Sequence, residues 1–382
     1  SGYAISYYYF GYVMVAMLAK LTATAGGVAF NLGVSLIFAM SALGSFGVLF
    51  NVITLSNLKD RLSPVWTSLL GPFFTLIVSN WEGFLHFLHS RGLFWTRDAS
   101  GQWVSGFWRW LDIRDLVNPP TGQSFGHWWW WRASRVIQDV DYYGNGREVI
   151  SEFPFFSYLL GDLHPHVLAM PFAFLLIAMA VAVFSGGKGK RFRWAGLFTL
   201  DLAPKAFLAV ALAAGGMSFL NTWDFPMYVA LLAGAYAFRG MVEREDWRVW
   251  ALLKDFISFG VAVGLSGILL YLPFFISFAS QAGGLIPNIL FITPGSQLWV
   301  MFGPLFLPLF GFLFYQWRKH SAQTNLLGGA GFSLGLWIVL LLFSFAWMGT
   351  DWAARFQFVV MAILAAAIFS FFVGGALRWD TA

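Results

Sequence analysis

The stretch Ser157-Tyr-Leu-Leu-Gly161-Asp162-Leu-His164-Pro165-His166-Val-Leu-Ala-Met-Pro-Phe-Ala-Phe-Leu-Leu-Ile-Ala-Met-Ala-Val-Ala-Val-Phe184 decides how this chain folds. Beyond His166 it is uncharged and apolar to Phe184, long enough to cross the hydrocarbon core of a bilayer as a helix. A run of this length satisfies its backbone groups only as a helix, because bilayer strands come as short alternating segments. An acid and two imidazoles stand at its entry, where they need partners or water.

Working outward, comparable apolar runs recur along the chain. The spacing predicts about ten spans, near 4–21, 27–50, 64–88, 157–184, 198–220, 226–240, 254–278, 297–316, 327–347 and 356–376. Of the 382 residues 59% are hydrophobic and 11% charged, against about 25% charged in soluble domains. The expected fold is an all-α polytopic transmembrane bundle forming one integral membrane domain over 1–382. The absence of cysteine excludes disulfides and thiolate metal sites. The net charge of +5 comes from short loops without a basic stripe, so a nucleic-acid partner is not expected. The start at Ser1-Gly2-Tyr3 carries no signal-peptide pattern, and an N-terminal part is expected to be missing.

Basic residues cluster at Lys188–Arg193, Arg239–Arg248, Arg318–Lys319 and Arg378. The positive-inside rule puts these loops in the cytoplasm. The long segment 89–156 is then extracytoplasmic, and it is Trp-rich: Trp103, Trp108, Trp110 and Trp128–Trp131. Val104–Val117 is expected to lie in the membrane interface. Strict parity places Tyr7-Tyr8-Tyr9 on the cytoplasmic side.

Three polar motifs fall on the outer face. The first is Glu152 to His166. Carboxylate and imidazole suit a divalent metal such as Mg or Mn, or acid–base work. Asp162, His164 and His166 are the metal candidates, and with Glu152 the catalytic ones. A plain helix cap with Asp162 at the N-cap is the alternative. The second is Asn221-Thr-Trp-Asp224-Phe-Pro226, which also reads as a turn and helix start. The third holds Asp351 and Arg355, spaced for an i,i+4 ion pair; Arg355, like Arg132, also suits a lipid phosphate. Glu82 and His86 share a helix face, and an acid at that depth is a functional candidate. Walker, GxGxxG and HExxH patterns do not occur.

Tyr7-Tyr-Tyr-Phe-Gly-Tyr12, Phe30-Asn-Leu32, the Glu152–His166 block and Phe219-Leu-Asn-Thr-Trp-Asp-Phe-Pro226 resemble the "YYY" family of multi-spanning membrane proteins of bacteria and archaea. That resemblance implies a multi-pass cell-membrane protein. Its layout is similar to the C-superfamily membrane glycosyltransferases, which implies transfer from a polyprenyl-phosphate sugar at the outer face. The acidic first outer loop of those enzymes is not seen here. The other reading is a non-catalytic subunit packing lipids or pigments among other membrane subunits.

Overall fold

The computed structural model describes residues 7–120, 129–140, 146–186, 190–246, 248–278 and 294–319, with Leu334, Gly335 and Ile338. In chain order the helices are α1 (Phe10–Leu21), α2 (Gly26–Leu55), α3 (Pro64–Ser68), α4 (Leu70–Pro72), α5 (Glu82–Ser90), α6 (Gly106–Leu111), α7 (Trp129–Ala133), α8 (Pro154–Leu160), α9 (Pro165–Ser185), α10 (Pro204–Leu220), α11 (Asp224–Arg244), α12 (Val249–Leu270), α13 (Leu272–Ser277) and α14 (Gly295–Lys319). Three small antiparallel hairpins join β1 (Thr96–Arg97) to β2 (Trp103–Val104), β3 (Gln138–Val140) to β4 (Gly146–Glu148), and β5 (Arg191–Trp194) to β6 (Phe198–Asp201).

Among the described residues five helices are long and apolar enough to cross a membrane: α2, α9, α11, α12 and Gly295–Phe312 of α14. Phe10–Leu21, Pro64–Ile77 and Pro204–Leu220 are shorter apolar helices. The mostly helical, multi-spanning class holds, and among the described residues helices long enough to cross a membrane stand at five of the ten expected spans. The expected spans 327–347 and 356–376 lie outside the described residues, save for three isolated positions in the first. The expected span 64–88 is broken. It ends in a π-turn at Phe73–Ile77, residues 78–81 are not helical, and α5 starts afresh at Glu82.

The chain divides into two compact units, 1–77 with 157–283 and 78–156 with 284–382. In the first unit, α9 to α12 pack around Leu176, Phe207, Met217, Leu232, Phe259 and Val263. The short connections 221–223 and 245–248 make α10, α11 and α12 successive antiparallel helices. Helix α2 runs alongside α9 in the same direction: Gly33 meets Leu163, and Gly44 meets Phe174. The buried residues of α2 include Ala29, Gly33, Ile37, Ser41 and Ser45, one stripe at every fourth position in which all but Ile37 are small. Its other faces carry exposed apolar groups such as Leu32 and Leu43, which lipid covers.

Small residues set the closest helix approach, as is common where packing rather than hydrophobicity drives association. A Cβ on Gly215 of α10 would sit 2.7 Å from the Gly267 carbonyl oxygen of α12. Gly215→Val should therefore force the helices apart and cost about 1–3 kcal/mol. The check is thermal unfolding in detergent; an unchanged transition would show that the approach is not structural.

At the end of this unit that carries the basic loops, Arg239 is buried. Its guanidinium donates to the Val183 carbonyl at 3.2 Å and the Asp201 carbonyl at 2.6 Å, and it pairs with Glu243 at 3.4 Å. A buried guanidinium is tolerated because its two terminal nitrogens donate to carbonyls and Glu243 offsets its charge. It ties the end of α9 and the β5–β6 hairpin to α11.

The second unit has its own core of Leu85, Trp95, Trp108, Leu111, Ile113, Leu116, Val136 and Val300. Trp108 is fully buried, and its indole N–H donates to the Leu93 carbonyl at 2.9 Å. The expected interfacial stretch Val104–Val117 is thus only partly helical. The helix there is the six-residue α6, with Trp108 and Leu111 buried, and it stops at Asp112 in the left-handed region (φ 52°).

Candidate functional site

The Gly161–His166 turn of the first unit builds the site. Helix α8 ends in a Schellman turn: Gly161 N–H donates to the Tyr158 carbonyl at 3.1 Å, and Asp162 N–H to the Ser157 carbonyl at 3.1 Å. The turn requires a left-handed residue, and Gly161 supplies it with φ +73°. Pro165 at the first position of α9 starts the next helix, with His164 as its N-cap. Asp162 is therefore not the N-cap. It closes the preceding helix, which corrects the capping alternative.

Between two helix ends, the imidazoles of His164 and His166 face each other. Their Nδ1 atoms are 2.8 Å apart. His166 Nε2 lies 3.0 Å from the Ser157 hydroxyl, and His164 Nε2 lies 3.4 Å from the Tyr7 hydroxyl. Two Nδ1 atoms in contact cannot both carry protons, so one donates and one accepts. That choice propagates outward. If His166 Nδ1–H donates, His166 Nε2 accepts from Ser157 and His164 Nε2–H donates to Tyr7. If His164 Nδ1–H donates, every bond reverses. The chain Tyr7–His164–His166–Ser157 thus has two self-consistent directions, which is what a proton relay needs. Ser157 is fully buried and the histidines are half-buried.

Tyr7 touching His164 also corrects the parity reading, which set the Tyr run on the face opposite the histidines. The physical reason is the length of α1: twelve residues, about 18 Å, do not cross a bilayer. Asp162 is close enough to act electrostatically on the Tyr12 phenol of α1. Beside it a groove of about 480 Å³ runs between α1 and α2. Tyr12, Val15, Ala19, Phe30 and Leu163 line it, and Lys20 is a cation on its wall.

The other expected site residues fall elsewhere. Asp224 is the first residue of α11, and its carboxylate accepts from Asn221 Nδ2 at 3.0 Å, as a helix start would have it. Glu152 and Arg132 belong to the second unit, where Arg132 pairs with Asp115 at 2.5 Å. Asp351 and Arg355 lie outside the described residues. Sequence reasoning named the two histidines but missed Ser157 as their partner. The available signal was Gly161: a glycine between two helix-forming runs folds α8 back against α9. Tyr7 had a weaker signal, three adjacent phenols at the start of an apolar run.

For a metal, two imidazole nitrogens are a fitting donor pair. About 3.3 Å would separate them on a tetrahedral ion with ordinary metal–nitrogen bonds, so the pair would open by about half an ångström.

The chain belongs to the uncharacterised membrane protein family DUF2298, whose model matches residues 1–376. No curated protein and no solved structure matches it.

Proposed function

We propose that this multi-pass membrane protein transfers a sugar from a polyprenyl-phosphate donor, on a glycosyltransferase-C-like plan, at the face away from its basic loops. The observation that carries the reading is the Tyr7–His164–His166–Ser157 chain at the mouth of a membrane helix, next to an apolar groove. Positive-inside makes that face the outer one.

The groove suits an isoprenoid tail, and Lys20 offers a cation to an anionic lipid. Asp162 acts as base. It takes the proton from the acceptor hydroxyl as that oxygen bonds to the anomeric carbon. The bond from that carbon to the phosphate oxygen breaks, and its electron pair stays on the phosphate. A protonated His164–His166 pair offsets that charge, and Asp162 afterwards gives the acceptor's proton to water. His164 and His166 offer two imidazoles as donors. A divalent ion held by them would supply further charge neutralisation, and imidazole favours Mn over Mg. Asp224, which belongs to the same unit, is assigned to the polar wall.

The test is sugar transfer in proteoliposomes against a panel of polyprenyl-phosphate sugars. The wild type should turn over, and Asp162→Asn should lose about 10²-fold or more with its circular dichroism unchanged. No turnover on the whole panel, together with purification in fixed stoichiometry with other membrane subunits, would overturn the reading in favour of a non-catalytic subunit.

A further inference from the structure

The second unit holds a different polar feature. Glu82 opens α5, and its side chain is only 2% exposed. Its Oε1 lies 3.6 Å from His86 Nδ1, and its Oε2 has no hydrogen-bond partner. A buried carboxylate oxygen without a partner is costly. The carboxyl lines a small cleft with Ile113, Asp115, Arg132 and Gln138. The cleft volume of about 10 Å³ has room for about one water.

The titratable and charged groups around Glu82 come from several elements. His86 and His89 share its helix. Arg114 and Asp115 follow α6, Arg132 lies in α7 and Arg135 just beyond it, and Glu148 is on β4. Most of these are already paired with one another: Asp115 with Arg132 at 2.5 Å, and Glu148 with Arg135 at 3.4 Å and Arg114 at 3.6 Å. Arg135 also stacks over Trp131 at 4.4 Å. Both surface carboxylates of the cleft are therefore already held by arginines without Glu82.

We propose that Glu82 is a proton-exchange site of this unit, holding its carboxyl as the neutral acid and trading the proton with solvent through one water in the cleft shared with the Asp115–Arg132 pair. On release, the Oε2–H bond breaks, the electron pair stays on Oε2 and the water carries the proton away. The carboxylate left behind competes with Asp115 for Arg132, so proton loss loosens the surface ion pair. The surroundings agree with this assignment. Burial first, and then the Asp115 carboxylate, push the Glu82 carboxyl up to about 8, with Arg132 opposing. The helix N-terminus favours the charged form by only about 1 kcal/mol and does not outweigh burial.

The experiment is infrared spectroscopy of the full chain in lipid nanodiscs, with its five glutamates carrying ¹³C in the carboxyl. One labelled protonated-carboxyl band should be present at pH 7 and vanish with a midpoint near 8. Glu82→Gln should lack it. Asp115→Asn should lower the midpoint and Arg132→Gln raise it, each by about one pH unit. A purely structural Glu82 would not give these opposite shifts. Absence of the band at pH 7 in the wild type overturns the proposal, and so does its persistence in Glu82→Gln. Should that variant fail to fold, the wild-type titration and the two neighbour variants decide alone.

Discussion

Replacing His166 by Ala is expected to reduce sugar transfer about 10²–10⁴-fold in proteoliposomes, with the protein still folded and inserted. His166 is the middle of the relay. It touches His164 on one nitrogen and Ser157 on the other, so its loss both removes a proton carrier and separates the two hydroxyl ends. The end members should matter less. Ser157→Ala and Tyr7→Phe each leave the imidazole pair in place and should cost about tenfold, the scale of one neutral hydrogen bond. The double variant Ser157→Ala with His166→Ala should be no worse than His166→Ala alone, because the serine acts through the histidine. Rates for His166→Ala within about twofold of wild type, with the donor that wild type uses, would remove the histidine pair from the mechanism.

The pH dependence of stability is the second large effect expected, and it concerns Glu82. Its carboxyl is raised from 4.5 to about 8 in the folded chain. Between those values the folded state keeps the proton that the unfolded state has released. Stability therefore falls as pH rises from about 4.5 to about 8, then levels off once both states are ionised. At 1.36 kcal/mol for each unit, the loss is about 5 kcal/mol. Glu82→Gln has no proton to lose, so its advantage over the wild type should be small near pH 4.5 and grow to several kcal/mol at pH 8. The measurement is unfolding of both proteins in the same detergent across that range. Taking the difference cancels the other titrating groups. A wild type that gains on the variant as pH rises would show that Glu82 is charged in the folded state.

The two sites differ in how openly the sequence displays them. Asp162-Leu-His164-Pro-His166 draws attention because polar side chains at the start of an apolar run are expensive, and the cost is visible residue by residue. Its geometry is not visible. The relay depends on Gly161 taking φ +73°, which turns Ser157 back toward His166. It depends also on Tyr7, 157 positions away from His164, being carried there by α1. No spacing rule encodes either contact. Glu82 is the reverse case. Its i,i+4 relation to His86 is plain in the sequence and is found in the structure. Its burial is not plain, because the break at residues 78–81 and the packing of α5 against Trp95, Trp108 and Val300 are properties of the second unit's core.

By itself, the sequence determined that this protein lives in a membrane, that its regular structure is helical, and that its basic loops stand apart from its histidine motif. Those outcomes follow from free energies that add along the chain: apolar area, backbone groups needing partners, and charges avoiding lipid. The tertiary structure alone decided where the third expected span breaks, that Trp108 is buried in the second unit's core, and which hydroxyls meet the two imidazoles. These rest on a few backbone angles and on contacts between distant segments, whose energies exist only once the chain is packed.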